Sequence, residues 1–327
     1  MAYMTEVAPD LDASLKRINA ALRVTELSIM VTFIVVISVI GIAFALEVTS
    51  MVLPSQLIAC AVTAPLFYTS LKYTKERPPK RPLPPGAHLL FSGFSALGQS
   101  IRSIRSENPE LVKCILGIMF LESANSNIVN SSIVLFTQVL KIERPALLII
   151  GILLLTIPSA AIAPQIQTKL GLKNALLLVL GANILGSLLV VFFIYKRERI
   201  NYVWIVCVIY GFGIGSTYPI QRTLFLRIAP LGRESEMVGV LQSTSLLIVW
   251  APALLFTALN EWLNSVRWAT LAITLFHVVG FFFISSMDLK KAVADADKTA
   301  HLKYAAKSDD RTARHTKIDQ VAPIGLG

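Results

Sequence analysis

Polar side chains stand near the middle of the apolar run 111–139. Glu122, Asn125 and Ser126 follow one another at spacings of three and four, which place them on one face of a helix. If that helix crosses a bilayer, a carboxylate at such a depth is costly unless it is paired, protonated or hydrated. The pattern favours a cavity-lining substrate or proton site. Structural hydrogen bonding between helices is the alternative, because Asn and Ser also join helices in membranes.

A second charged group, Arg222, lies about one turn from the end of the apolar run 202–225. A side chain at that depth can extend to the membrane surface, where water solvates its charge. In the functional alternative, Arg222 pairs with Glu122 or holds a substrate carboxylate, and Tyr218 lies one turn deeper on the same face. The candidates for a substrate-binding or cavity surface are therefore Glu122, Asn125, Ser126, Tyr218 and Arg222.

The charged hinge that follows this run contains three further candidates. Arg233, Glu234 and Glu236 could form an ion-pair latch between adjacent span ends on the cytosolic side, a gating or latching role. A solvated loop is an equally simple interpretation, because exposed ion pairs contribute little.

The glycines at 211, 213 and 215 resemble a nucleotide-binding loop only in their spacing. Such a loop needs a preceding strand and a soluble βαβ unit, and an apolar run of this length supplies neither. We expect these glycines to permit close helix packing or flexing of the helix.

The remaining reactive residue types do not assemble into a catalytic or metal site. Cys60, Cys114 and Cys207 lie in three separate apolar runs and form no CxxC or Cys/His cluster. The four histidines lie in a surface segment, an apolar face and the C-terminal tail: His88, His277, His301 and His315. The sequence therefore predicts no catalytic residues, no metal and no cofactor, and we do not expect an enzyme.

The elements that position these residues are long apolar helices. Hydrophobic residues make up 54% of the 327 residues and charged residues only 15%, which is too apolar for a soluble domain of this size. Most of the apolar runs approach the roughly 20 residues that a helix needs to cross a bilayer. The fold class predicted is all-α, a polytopic membrane helix bundle with about eight spans: 27–46, 51–71, 111–139, 147–163, 172–195, 202–225, 237–259 and 268–287.

Composition divides the chain into five segments. These are a cytosolic N-terminal segment (1–26), a two-helix hairpin (27–71), a basic and proline-rich cytosolic loop with an amphipathic helix (72–110), a six-helix unit (111–287) and a disordered cytosolic tail (288–327). The amphipathic helix either lies on the membrane surface or packs on the ends of the spans.

The basic residues predict the orientation of the bundle. Lys and Arg are twice as frequent in one set of alternating loops as in the other, and both tails fall on the richer side. The positive-inside rule makes that side cytosolic, so both termini are expected in the cytosol. Because these residues flank apolar spans, the net charge of +10 indicates topology and a lipid partner rather than nucleic acid.

Three motifs resemble one known family of membrane transporters. Ala64-Pro-Leu-Phe67 followed by Lys75-Glu-Arg-Pro78 is similar to the end of the sixth span in the fungal-type vacuole effluxers, the autophagy-related vacuolar amino-acid exporters of the major facilitator superfamily. The stretch 116–124 resembles the seventh span of that family. Ala229-Pro-Leu-Gly-Arg-Glu-Ser-Glu-Met-Val-Gly239 resembles its loop between spans ten and eleven and is the most specific of the three.

The resemblance implies a partial major facilitator fold that corresponds to spans five to twelve, in the vacuolar membrane. It further implies efflux of amino acids to the cytosol during autophagy by alternating access. Counterparts of spans one to four are missing, so the chain is expected to be N-terminally truncated. A non-transporting pseudo-transporter or membrane interaction protein is therefore the alternative function. Association with another chain that supplies the missing helices is a further expectation.

Overall fold

The structure is a computed structural model, and it describes residues 108–142, 146–194, 200–230 and 234–298 together with scattered positions between 57 and 106. The predicted span 27–46, the N-terminal segment and the end of the tail lie outside the described residues. The same is true of most of the predicted span 51–71. From residue 108 onward the described chain is helical, which confirms the all-α prediction.

The helices follow the predicted apolar runs closely. In chain order they are α1 (Pro109–Gln138), α2 (Ala146–Leu170), α3 (Leu172–Phe193), α4 (Ile200–Ile228), α5 (Glu234–Leu247), α6 (Ala251–Leu263), α7 (Val266–Ala269), α8 (Leu271–Ser286) and α9 (289–298). Within the described residues, six segments are long and apolar enough to cross a membrane. In two of them a pair of helices forms one segment, α5 with α6 and α7 with α8.

Helix α1 begins with a well-formed cap. The side chain of Asn108 accepts a hydrogen bond from the backbone N–H of Leu111 at 3.0 Å, and Pro109 occupies the first turn, where its missing N–H costs nothing. The helix therefore starts two residues before the predicted span.

Helix α2 is longer than the prediction of 147–163. It continues through Pro158 and Pro164 and ends at Leu170. Proline is tolerated in membrane helices because neighbouring groups satisfy the backbone atoms that it frees. The stop signal is Gly171, which has a φ of 81° and donates its N–H to the Gln167 carbonyl oxygen at 2.9 Å.

The predicted span 237–259 is not one continuous helix. The chain leaves helical geometry at residues 248–250, and α6 restarts with Pro252 in its first turn, where no intrahelical N–H is needed. The Asn127 side chain of α1 donates to the Val249 carbonyl oxygen at 2.9 Å, so a carbonyl released by the break has a partner.

The prediction of a disordered tail from residue 288 is wrong for residues 289–298, which form α9. Asp288 caps this helix by accepting from the backbone N–H groups of Lys290 and Lys291 at 2.9 and 3.2 Å. The backbone N–H of Asp288 in turn donates to Glu110 of α1 at 2.8 Å. Ala292 is fully buried against the bundle, which supplies the tertiary contact that composition alone did not reveal.

Two apolar clusters fill the bundle, one toward each end. The first lies where α1 begins and α8 ends, and it includes Leu111, Leu121, Leu180 and Ile284. We call this the basic end, because Lys113, Lys169, Lys173, Arg227, Lys290 and Lys291 also lie there. The second cluster lies toward the opposite end and includes Ala124, Ile128 and Phe136 of α1, Val190 of α3 and Cys207 of α4. Polar side chains occupy the layer between the clusters.

Close approach of α2 and α4 agrees with the first alternative for the glycine series, close helix packing, and flexing stays a prediction. A Cβ at Gly211 would lie 2.5 Å from the Leu155 Cβ, and a Cβ at Gly215 would overlap the Thr156 backbone. A Cβ at Gly213 would overlap the Asn183 side chain of α3. The glycines thus allow backbone contact between helices.

Of the predicted amphipathic helix, only scattered positions are described. Ile104 is buried in the apolar cluster at the basic end, which favours packing on the span ends over a free surface helix.

Candidate functional site

A polar layer at mid-depth joins four helices. Asn125 of α1 is its centre: its Nδ2 donates to Thr217 of α4 at 3.2 Å, and its Oδ1 accepts from Asn183 of α3 at 3.2 Å. His277 of α8 places Nε2 3.0 Å from the same Oδ1. Asn183 and His277 have no exposed surface. Polar groups that are buried so deeply need such partners, because an unsatisfied one costs about 1–3 kcal/mol.

A cavity of about 340 Å³ opens beside this layer, between α1, α4 and α5. Its polar lining comes from all three helices: Glu122, Asn125, Ser126, Thr217, Tyr218, Gln221, Gln242 and Ser245. Ile214, Leu246 and Val249 complete the wall with apolar surface. Four of the five predicted cavity residues therefore line one cavity, and the fifth, Arg222, lies behind it.

Glu122 is half-buried at the cavity wall. Gln221 of α4 donates from Nε2 to Glu122 Oε1 at 2.6 Å, and no other hydrogen bond to this carboxylate comes from the described part of the chain. The Gln221 Oε1 atom is buried and has no hydrogen-bond partner there. The Ser126 hydroxyl donates back to the Glu122 carbonyl oxygen, the usual contact of a serine inside a helix. One carboxyl group thus lies at mid-depth with a single amide donor from the described residues.

Arg222 is buried, with 5% of its surface exposed. Its Nη2 donates to the Tyr218 hydroxyl at 2.7 Å and to Gln242 Oε1 of α5 at 3.1 Å, and the guanidinium lies 4.8 Å from the centre of the Tyr218 ring. The predicted pairing of Arg222 with Glu122 does not occur in this structure. Because the Arg222 side chain is buried, it does not extend to water at the membrane surface, which was the other interpretation of its position.

Two atoms beside the cavity lack hydrogen-bond partners within the described residues. They are Arg222 Nε and Ser245 Oγ, both buried. Together with the Gln221 oxygen, they leave donors and acceptors near the cavity unsatisfied, which is costly in a folded protein and is relieved when a polar ligand or water enters.

The predicted latch is only partly covered by the structure. Arg233 and the side chain of Glu234 lie outside the described residues, and Glu236 is half-buried in the first turn of α5. The latch remains a prediction.

The sequence did not predict six polar residues of this site: Thr217, Gln221, Gln242 and Ser245 of the cavity wall, and Asn183 and His277 of the polar layer. Asn183 and His277 lie in strongly apolar runs, with no motif around them that points to a shared site. The available signal was the polarity itself, since an intramembrane polar residue usually marks a functional or packing site. Nothing in the sequence indicated that Asn183 and His277 converge on Asn125.

Among the described residues, no group of three His, Cys, Asp or Glu side chains is arranged to hold a metal ion. Cys114 and Cys207 are buried in the two apolar clusters.

The sequence matches the family described as Vacuole effluxer Atg22 like over residues 14–297, which is most of the chain. Searches of curated proteins and of solved structures found no match.

Proposed function

The chain belongs to the Atg22-like vacuole effluxer family, a family of multi-pass membrane transporters, and on that premise we propose that it moves amino acids from the vacuole lumen to the cytosol during autophagy. The cavity between α1, α4 and α5 is the proposed substrate-contact surface. Glu122, Asn125, Ser126 and Tyr218 are its proposed contacts, and Arg222 acts from behind Tyr218.

The observation that supports this proposal most strongly is the separation of charges beside the cavity. Glu122 offers a carboxylate with a single amide donor, and the buried Arg222 is held by two neutral partners, Tyr218 and Gln242. An amino acid carries an ammonium and a carboxylate. Its ammonium group complements the Glu122 carboxylate, and its carboxylate complements the positive charge of Arg222 behind Tyr218.

The depth of the cavity also supports a transport role. It lies beside the polar layer between two apolar clusters, where a charged side chain is costly unless it serves a pathway or a partner. Substrate sites of secondary transporters lie near the bilayer midplane. A volume of about 340 Å³ is within the range of small-molecule sites.

Transport by membrane vesicles that carry this chain tests the proposal. Vesicles are loaded with labelled amino acids, and efflux is compared with vesicles that lack the protein. Glu122→Gln keeps the shape of the side chain and removes its charge, so we expect KM to rise by roughly tenfold, equivalent to about 1.4 kcal/mol. Glu261→Gln is the matched control, because Glu261 is exposed in α6 and does not line the cavity.

Two results would contradict the proposal. Absence of efflux by a chain that is inserted in the membrane favours the alternative, a non-transporting membrane protein. Unchanged kinetics of Glu122→Gln in an active transporter would remove Glu122 from the substrate site.

A further inference from the structure

The Asn125 amide lies between three polar side chains that come from three other helices. It contacts His277 at 3.0 Å and both Asn183 and Thr217 at 3.2 Å. His277 and Asn183 are fully buried, and Thr217 is nearly so. The two ends of an amide have almost the same shape, so packing accommodates either orientation, and hydrogen bonding must decide between them.

The protonated nitrogen of His277 can be identified from its neighbours. Nδ1 lies 3.1 Å from the Ile273 carbonyl oxygen, one turn earlier in α8. A carbonyl oxygen only accepts, so Nδ1 must carry a proton. A second proton on Nε2 would create an imidazolium with no exposed surface in the apolar interior, which is strongly unfavourable without a counter-charge.

Within the described residues, the helices that pack around His277 provide no such counter-charge. Their charged or titratable side chains include Glu122 on α1, Lys173 on α3, Cys207, Tyr210, Tyr218 and Arg222 on α4, Glu261 on α6 and Arg267 on α7. None of these forms a hydrogen bond or ion pair with His277. Glu122 is bound to Gln221 instead, and the Tyr210 hydroxyl lies 3.1 Å from the Ser187 hydroxyl. His277 is therefore neutral, and its Nε2 is an acceptor.

We propose that His277 is a positioning residue that orients Asn125. In the proposed orientation, the reverse of the one described above, Nε2 accepts from the Asn125 NH₂ group, and the Asn125 carbonyl oxygen points toward Thr217 and the cavity. Asn183 turns in concert, so that its oxygen accepts the second hydrogen of the Asn125 amide. The Thr217 hydroxyl rotates away from the Gly213 carbonyl oxygen, which it reaches at 2.6 Å, and donates to Asn125.

Asn183 does not determine which way the Asn125 amide is oriented. The Asn183 Oδ1 atom is buried beside Gly213 without a hydrogen-bond partner, so no bond on that side fixes the orientation of its amide. His277 decides because its unprotonated Nε2 can only accept, whereas the Thr217 hydroxyl can rotate to donate or to accept.

In this orientation, the part of the cavity wall that belongs to α1 presents hydrogen-bond acceptors. The Asn125 oxygen then lies next to the Glu122 carboxylate on one face of α1, a surface that suits a protonated amine better than a carboxylate. This part of the inference rests on the proposed function, and it assigns the ammonium end of the substrate to α1.

Nitrogen NMR of the protein in lipid tests the orientation without any transport measurement. His88, His301 and His315 are replaced by Asn, so that His277 is the one histidine left of the four in the chain. With ¹⁵N-labelled histidine, we expect a neutral ring with the proton on Nδ1 and an unprotonated Nε2. A proton on Nε2, alone or together with one on Nδ1, would overturn the proposal.

A pair of His277 variants tests the effect on substrate. The oxygen of His277→Gln reaches the position of Nε2, whereas that of His277→Asn reaches only the position of Nδ1. We expect the Gln variant to keep KM close to that of the unmodified chain. The Asn variant should raise KM several-fold with Vmax per inserted protein retained.

Equal KM values for the two His277 variants would overturn the role in positioning. Absence of transport by the unmodified chain would contradict the proposed function alone, because the NMR experiment still decides the tautomer. If either His277 variant fails to accumulate in the membrane, the NMR experiment still decides whether Nε2 of His277 is an acceptor.

Discussion

Arg222 shows how a single residue in this protein combines charge with shape. Its guanidinium donates to Tyr218 and Gln242 and lies against the Tyr218 ring, so it links α4 to α5 behind the cavity. The planar guanidinium of Arg can donate hydrogen bonds to two acceptors and lie against an aromatic ring at the same time. The ammonium of Lys does not reproduce this geometry. The position of Tyr218 in the cavity wall therefore depends on Arg222.

Replacing Arg222 by Lys keeps the charge and removes the fork. We expect KM for amino-acid efflux to increase by roughly tenfold, because Tyr218 and Gln242 lose a shared donor, at a cost of about 1–2 kcal/mol. The matched control is Arg227→Lys, a half-buried Arg in the last turn of the same helix. Equal kinetics of the two variants would refute a specific role for the Arg222 fork.

At the scale of the elements, the contact between α2 and α4 is set by backbone proximity. Gly211 and Gly215 leave room for Leu155 and Thr156, and the Ser159 hydroxyl of α2 donates to the Phe212 carbonyl oxygen at 2.7 Å. Small residues at such interfaces let membrane helices approach closely, where dispersion and hydrogen bonding drive association. The position of α4, and of every cavity residue on it, follows from this contact.

A methyl group at Gly215 should disrupt that contact. Its Cβ would meet the Thr156 backbone, which cannot rotate aside, so we expect Gly215→Ala to destabilise the fold by about 1–3 kcal/mol. Gly181→Ala is the control, because nothing lies within 4 Å of a Cβ at that position and Ala favours the helix. Thermal unfolding in detergent measures both. Similar melting temperatures for the two variants would disprove close packing at Gly215.

On the scale of the whole molecule, the basic end of the bundle is closed by α9. Glu110 accepts from both the Lys113 side chain, at 2.9 Å, and the Asp288 backbone, at 2.8 Å, so one buried carboxylate ties the start of α1 to the start of α9. Lys173 of α3 donates to the Ser285 and Met287 carbonyl oxygens at the end of α8. The last segment of the described chain is thereby part of the folded bundle.

Docking of α9 can be tested on its two faces. Ala292 is fully buried and Ala294 is exposed, so Ala292→Leu adds volume against the bundle and Ala294→Leu adds it to the outside. Overpacking costs about 1–3 kcal/mol. We therefore expect limited proteolysis to cut near Met287 faster in the Ala292 variant than in the Ala294 variant. Cleavage at the same rate in both would show that α9 is not docked.

The arrangement of the spans predicts which exposed loops share a side of the membrane. Single cysteines replace Asn174, Lys290 or Asn264 in a chain without its natural cysteines. The first two positions lie at the basic end and Asn264 lies at the other. An impermeant thiol reagent should label 174 and 290 from one side, expected to be cytosolic, and 264 from the opposite side. Labelling of 174 and 290 from different sides would contradict the topology.

Much of this architecture was predictable because lipid imposes a simple rule on sequence. Apolar runs near the required length mark the spans 109–138, 172–193 and 200–228 to within a few residues, since every buried backbone group in a membrane must be bonded inside a helix. Helix ends were less predictable. The span was predicted to end at residue 163, but α2 continues to Leu170 and ends before Gly171.

The sequence by itself determined the class of the protein and one face of its candidate site, because composition, spacing and charge distribution act locally along each run. Glu122, Asn125 and Ser126 share a face by helical geometry alone. Only the tertiary structure decided that Gln221 rather than Arg222 bonds Glu122, and that Asn183 and His277 converge on Asn125. Those contacts depend on the rotation and depth of one helix against another, which close packing at glycines sets and periodicity within a single helix cannot encode.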